Sequence, residues 1–131
     1  MALANRKVDD SARKRHAEDQ RAAERLPQLL QEVAEAERRL AEAQRSDADI
    51  EELHHCGVAL DEALTEAMRA AYARERVLIG PRGYTDRIYR RKRLATPDVR
   101  WATETAERLL TARETHRLHG IERLPRSPAA V

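Results

Sequence analysis

The 131-residue chain has no phenylalanine, and its 3% of aromatic residues amounts to Trp101, Tyr72, Tyr84 and Tyr89. A core without large rings cannot be thick. It suits helices laid side by side, each burying a narrow stripe of Ala, Leu and Val. Cysteine occurs once, as Cys56, which excludes an intrachain disulfide and points to a reducing, cytoplasmic setting. No run of about 18 apolar residues is present, so no helical membrane span is expected. The first seven residues carry charge and lack the apolar stretch of a secretory signal. There is no Gly-x-Ser-x-Gly elbow, and serine occurs only at positions 11, 46 and 127. Gly80-Pro81-Arg82-Gly83 reads as a turn, not as a phosphate loop. Nothing here marks a catalytic residue, a cofactor or a small-molecule substrate.

What is abundant is charge. Asp, Glu, Lys and Arg make up 37% of the chain for a net charge of +2. That small total hides a strong polarity along the sequence. Residues 26–66 hold 3 basic and 11 acidic side chains, a net −8, whereas residues 67–100 hold 10 basic and 3 acidic, a net +7. An acidic block is therefore followed by a basic one. Among the cations Arg outnumbers Lys 22 to 3, and Arg is the better fork for carboxylates and phosphates.

The apolar pattern predicts an all-α fold. Residues 1–25 have many charges and scattered alanines, so they are expected to form a charged, loosely ordered N-terminal segment. From Pro27, the residues Leu26, Leu29, Leu30, Val33, Ala36, Leu40 and Ala41 recur at three- and four-residue steps, predicting a helix over about 27–45. A second stripe, from Ile50 and Leu53 through Leu60 and Leu64 to Leu78, predicts a helix over about 48–79, stopped by Gly80-Pro81. At about 100° per residue the two stripes would lie about 180° apart on one straight rod. A break near Ser46 lets them face each other instead. Ser46-Asp47-Ala48-Asp49 offers capping side chains for the second helix. The expectation is an antiparallel helical hairpin. A short basic helix over about 85–95 follows, then a C-terminal helix over about 97–119. Thr96-Pro97-Asp98 supplies a cap, a first-turn proline and an acid for that last helix, and Gly120 ends it. The bundle domain would span 26–119, coiled-coil-like, with a Pro-containing tail over 120–131. Narrow stripes on long helices also suggest self-association.

Several residues are candidates for function. Glu51-x-x-His54 and Glu52-x-x-His55 match a spacing used by di-iron bundles, but both histidines point away from the apolar stripe and such pairs are cheap in a Glu-rich segment. His116 and His119 sit near a helix C-terminus, where positive charge is favoured. Cys56 lies on the apolar stripe and reads as an inert thiol. No metal site is expected. The basic run Arg87, Tyr89, Arg90, Arg91, Lys92 and Arg93, with Tyr84 nearby, could grip phosphates while the rings stack on bases. Alternatively, the acidic block answers that charge within the fold or across an assembly. Trp101 falls on the far side of its helix from the apolar stripe, either as a partner contact or covered by an arginine. The leading expectation is a non-enzymatic interaction or structural subunit. It would bind protein partners, or itself, through Leu29, Val33, Leu40, Leu53, Leu60, Leu64 and Trp101. The alternative is a small nucleic-acid-binding accessory protein acting through 87–93.

Overall fold

The computed structural model describes residues 8–125. Residues 1–7 and 126–131, which hold the start of the expected loose segment and the end of the expected tail, lie outside the described residues. Among the described residues five α-helices follow in order: α1 Asp10–Glu24, α2 Leu26–Arg45, α3 Ile50–Ile79, α4 Arg87–Leu94 and α5 Pro97–His119. A single 3-10 turn, Pro81–Tyr84, links α3 to α4. Among the described residues there is no strand, and the fold is an all-α helical bundle.

The turn between α2 and α3 is where the two apolar stripes are brought face to face. The Ala48 N–H donates to the Ala43 carbonyl at 3.0 Å and the Ser46 N–H to Glu42 at 2.9 Å, while Asp47 adopts φ 56°. This is a Schellman-type helix end with an aspartate where glycine is usual. The Asp49 carboxylate then accepts from the Glu52 N–H at 2.9 Å and opens α3, satisfying one of its orphan donors. With the chain reversed, Leu26, Leu29, Val33, Ala36 and Leu40 of α2 share one core with Leu60, Leu64, Ala67 and Ala71 of α3.

That core is thin, as the lack of phenylalanine requires. Among the described residues nine of the seventeen buried apolar residues are alanine, and the largest side chain below 2% exposure is Val99. Alanine faces let helix axes approach closely, so stability comes from many small contacts more than from a few large side chains. Helix α3 is the shared element. The α1–α2 limb runs along one side of it and α5 along another, and among the described residues the limb and α5 make no close backbone contact with each other.

The expectation for residues 1–25 needs correction, because Asp10–Glu24 is a helix packed against α3. Asp9 caps it, accepting from the Ala12 N–H at 2.8 Å. Only Arg25 separates α1 from α2, and Pro27 in the first turn of α2 has no N–H to continue the ladder. The stripe of α1 is made of small residues: Ala12 is buried and Ala17, Ala22 and Ala23 are half-buried. Such a stripe looks too weak in isolation. It suffices because α3 offers an equally small face, with Ala70 and Ala73 buried, and because polar contacts lock the register. His16 Nε2 donates to the Val77 carbonyl at 3.3 Å, and Asp19 pairs with Arg76.

Helix α5 runs antiparallel to α3, so its first half is cross-linked to the end of α3 and its last turns to the first half and middle of α3. Thr103 donates to Glu75 at 2.6 Å, Arg113 to Thr65 at 2.8 Å, His116 Nε2 to the Gly57 carbonyl at 2.7 Å and Arg117 to Asp61 at 2.6 Å. Thr96 stands at the expected N-cap, but its hydroxyl turns back to the Arg93 carbonyl at 2.6 Å and makes no bond to the α5 N–H groups. The Asp98 carboxylate takes that role. Bonds from the Thr96 hydroxyl and the Val99 N–H, with the charge of Arg93, hold it below the usual carboxylate range. After Gly120 the chain turns back over α3. Ile121 lies so close to Gly57 that a Cβ there would stand 3.3 Å from the Ile121 Cα, which accounts for a glycine in mid-helix.

Candidate functional site: the basic end of the bundle

Helix α3 stops at Gly80, whose φ of 100° is open to glycine and costly for other residues. The chain then folds through the 3-10 turn into α4, and the N-terminal half of α1 runs alongside. The distant α1 and the continuous stretch from the end of α3 through α4 thereby gather their cations at one end.

Helix α4 is opened by Asp86, which accepts from the Tyr89 N–H at 3.0 Å. Its two sides differ sharply. Tyr89 and Arg93 face inward: the Arg82 guanidinium lies 4.7 Å from the Tyr89 ring centroid. Arg93 donates to the Leu78 carbonyl at 2.7 Å and to Asp98 at 3.2 Å. Arg93 thus caps α3 and ties α4 to α5. The outward side carries Arg87, Arg90, Arg91 and Lys92, all exposed, around an Ile88 that is 71% exposed. No carboxylate of the described residues lies within ion-pair reach of these four cations. The acidic block does not answer them within the fold. Its carboxylates lie on α2, in the turn after it and on α3 no further than Glu66, away from α4, and among the described residues its one ion pair beyond those two helices joins Asp61 to Arg117.

Beside α4 is a cleft of about 240 Å³ lined by Arg15, Arg76, Ile79, Gly83, Tyr84 and Arg90, together with Gly80. A polar network organises its back wall. Arg76 grips Asp19 with two bonds, Nε at 2.9 Å and Nη2 at 3.1 Å. The Tyr84 hydroxyl donates to the same carboxylate, and the Arg15 guanidinium lies 4.8 Å from the Tyr84 ring centroid. Burial works to raise the Asp19 carboxyl, but the bonds from Arg76 and Tyr84 and the charges of Arg76 and Arg15 outweigh it and hold the group below the usual carboxylate range. Burial, then the bond to Asp19 and its charge, push the Tyr84 phenol well above its ordinary value. Tyr84 therefore stays protonated as a donor.

Of the six residues expected to meet nucleic acid, the structure leaves Arg87, Arg90, Arg91 and Lys92 outward and turns Tyr89 and Arg93 inward. One face of each of the Tyr84 and Tyr89 rings is covered by an arginine. The expected protein interface changes more. Leu29, Val33, Leu40, Leu60 and Leu64 are all buried in the chain's own core, Leu53 is half-buried, and Trp101 alone is open, at 64% exposure. Among the described residues no guanidinium stacks on the Trp101 ring.

Three of the five histidines, His16, His54 and His116, make structural contacts, while His55 and His119 are exposed. His54 Nδ1 donates to the Glu122 carbonyl at 2.6 Å, complementing His116 on Gly57 and His16 on Val77. Among the described residues no three His, Cys, Asp or Glu side chains gather as metal ligands would. The Cys56 thiol is half-buried, with Sγ 3.6 Å from Glu52. Burial and the Glu52 carboxylate push it up, away from the reactive thiolate. No described helix is long and apolar enough to cross a membrane.

Sequence reasoning missed Arg15, Asp19 and Arg76. The spacing of Arg15 and Asp19 marks one face of a helix, but nothing in sequence connects that face to Arg76. Compared with protein-family models, curated proteins and solved structures, the chain matches none.

Proposed function

We propose that this is a non-enzymatic binding protein that holds the phosphate backbone of a nucleic acid against its basic end. The observation that carries the reading is the outward side of α4, where Arg87, Arg90, Arg91 and Lys92 stand exposed with no carboxylate of the described residues within ion-pair reach. Guanidinium groups are weakly hydrated forks suited to phosphate oxygens. With one face of each nearby tyrosine ring already covered by an arginine, the reading rests on contacts to phosphates and sugars, which follow backbone shape more than base sequence.

The test is fluorescence anisotropy with duplex and single-stranded probes at several salt concentrations. Four phosphate contacts correspond to a log–log salt slope of about −3.6, or roughly a hundredfold loss of affinity between about 50 and 200 mM salt. The combined change Arg87→Ala, Arg91→Ala and Lys92→Ala should nearly abolish binding and flatten the slope by about three. Unchanged affinity in that variant removes the proposal.

A second reading, assembly with a protein partner or with itself, is favoured by a different observation. A shallow groove between α2 and α3 has an alanine floor of Ala36, Ala59 and Ala63 and is rimmed by glutamates including Glu32, Glu62 and Glu66. Four glutamates against one arginine, Arg39, make its charge complementary to the outward side of α4 with Ile88 at its centre. Such a contact is head-to-tail, and light scattering would show mass that rises as salt is lowered, without any nucleic acid.

A further inference from the structure

We infer that the cleft between α1, the end of α3 and α4 seats one dianionic phosphate group, free or at the end of a nucleic-acid strand. The inference goes beyond binding on the outer side of α4 and shares with it only Arg90. Three arginines from three separate elements line the cleft: Arg15 from α1, Arg76 from α3 and Arg90 from α4. Among the described residues no carboxylate lines it, and Asp19 behind it is already engaged by Arg76 and Tyr84.

Two of the three cations are pre-positioned. Arg76 spends two of its donors on Asp19 and retains the others of its five for a ligand. Arg15 is held against the Tyr84 ring, which limits the side-chain entropy lost on binding. Arg90 is exposed and has no intramolecular partner among the described residues, so it is the arm that can swing onto a bound group. A volume of about 240 Å³ accommodates a phosphate with a few waters of about 30 Å³ each. Donors arriving from three elements suit a tetrahedral dianion with acceptors on every side, whereas a carboxylate offers two oxygens in one plane.

The experiment is calorimetric titration of the full chain with inorganic phosphate. In parallel, anisotropy is measured with one oligonucleotide made with a 5′-phosphate and with a 5′-hydroxyl. Saturable one-to-one binding of phosphate is expected. It should weaken by about tenfold or more in Arg90→Ala, a change at an exposed side chain whose helicity is checked by circular dichroism. The outer-side pair Arg87→Ala and Lys92→Ala should leave it unaltered. If the 5′-phosphate strand binds more tightly than the 5′-hydroxyl strand and Arg90→Ala erases the difference, the source is a strand end. If the two strands bind alike while inorganic phosphate saturates, the source is free phosphate. Absence of saturable phosphate binding, or an Arg90→Ala titration identical to that of the parent, overturns the inference. Neither result depends on whether the outer side of α4 holds a backbone, because that is read from the Arg87, Arg91 and Lys92 triple variant.

Discussion

Replacing Asp19 by Asn isolates the network that fastens α1 to the rest of the bundle. Asn preserves the shape but removes the charge and turns one of two acceptor oxygens into a donor, facing the Arg76 fork or the Tyr84 hydroxyl. Hydrogen bonds to a charged group contribute about 1.5–3 kcal/mol each. The Arg76 side chain is 42% exposed, so water recovers part of the loss, and a net cost of about 2 kcal/mol is expected. If unfolding is two-state, this lowers Tm by roughly 6–10 °C. If α1 opens on its own, its amide hydrogens exchange about thirtyfold faster while those of α5 are unchanged.

The pH dependence gives a separate check on the same residue. Because the Asp19 carboxyl is depressed in the folded protein, its contribution is complete above the ordinary carboxylate value of about 3.9. It is lost as pH falls through the lowered folded value. The parent should therefore lose stability relative to the Asn variant on acidification below about pH 4, and the two curves should converge. Urea denaturation between neutral pH and pH 3, with hydrogen exchange read by mass spectrometry, measures both effects. A variant as stable as the parent at neutral pH, with α1 exchange unaltered, would refute the view that polar contacts fix this helix.

Thr103→Val removes the hydroxyl that serves the buried Glu75 and should destabilise by about 1–3 kcal/mol; denaturation alongside a Glu75→Gln, Thr103→Val double variant separates the lost bond from the stranded carboxylate. Asp47→Gly should stabilise by about 0.4–1 kcal/mol, since Asp47 occupies φ 56° where glycine carries no Cβ penalty. A Tm equal to or below that of the parent contradicts that assignment.

How far the fold could be read in advance depended on the kind of signal. Thr96-Pro97-Asp98 and Gly120 bound α5 at Pro97 and His119, because caps and breakers are local chemistry. The separation of α2 from α3 was also legible, since two leucine stripes out of phase by half a turn cannot share one core on a straight rod. Helix α1 was not legible: an alanine stripe becomes adhesive only when an equally small surface comes near, and that is a property of Ala70 and Ala73 sixty residues away. The same limit applied to function. Periodicity marks Leu29, Val33, Leu40, Leu60 and Leu64 as destined for burial but cannot say whether the chain itself or a partner buries them. The cleft is harder still, because Arg15, Arg76 and Arg90 converge only once α1 has taken its register on α3.

The separation of acidic and basic side chains between the two ends makes the molecule behave as an electric dipole in solution. Near a polyanion it experiences a torque before it makes any contact, turning α4 forward and the glutamates of α2 away. Encounters would then begin in the productive orientation, and the association rate would fall steeply with ionic strength as the Debye length shrinks below the size of the protein.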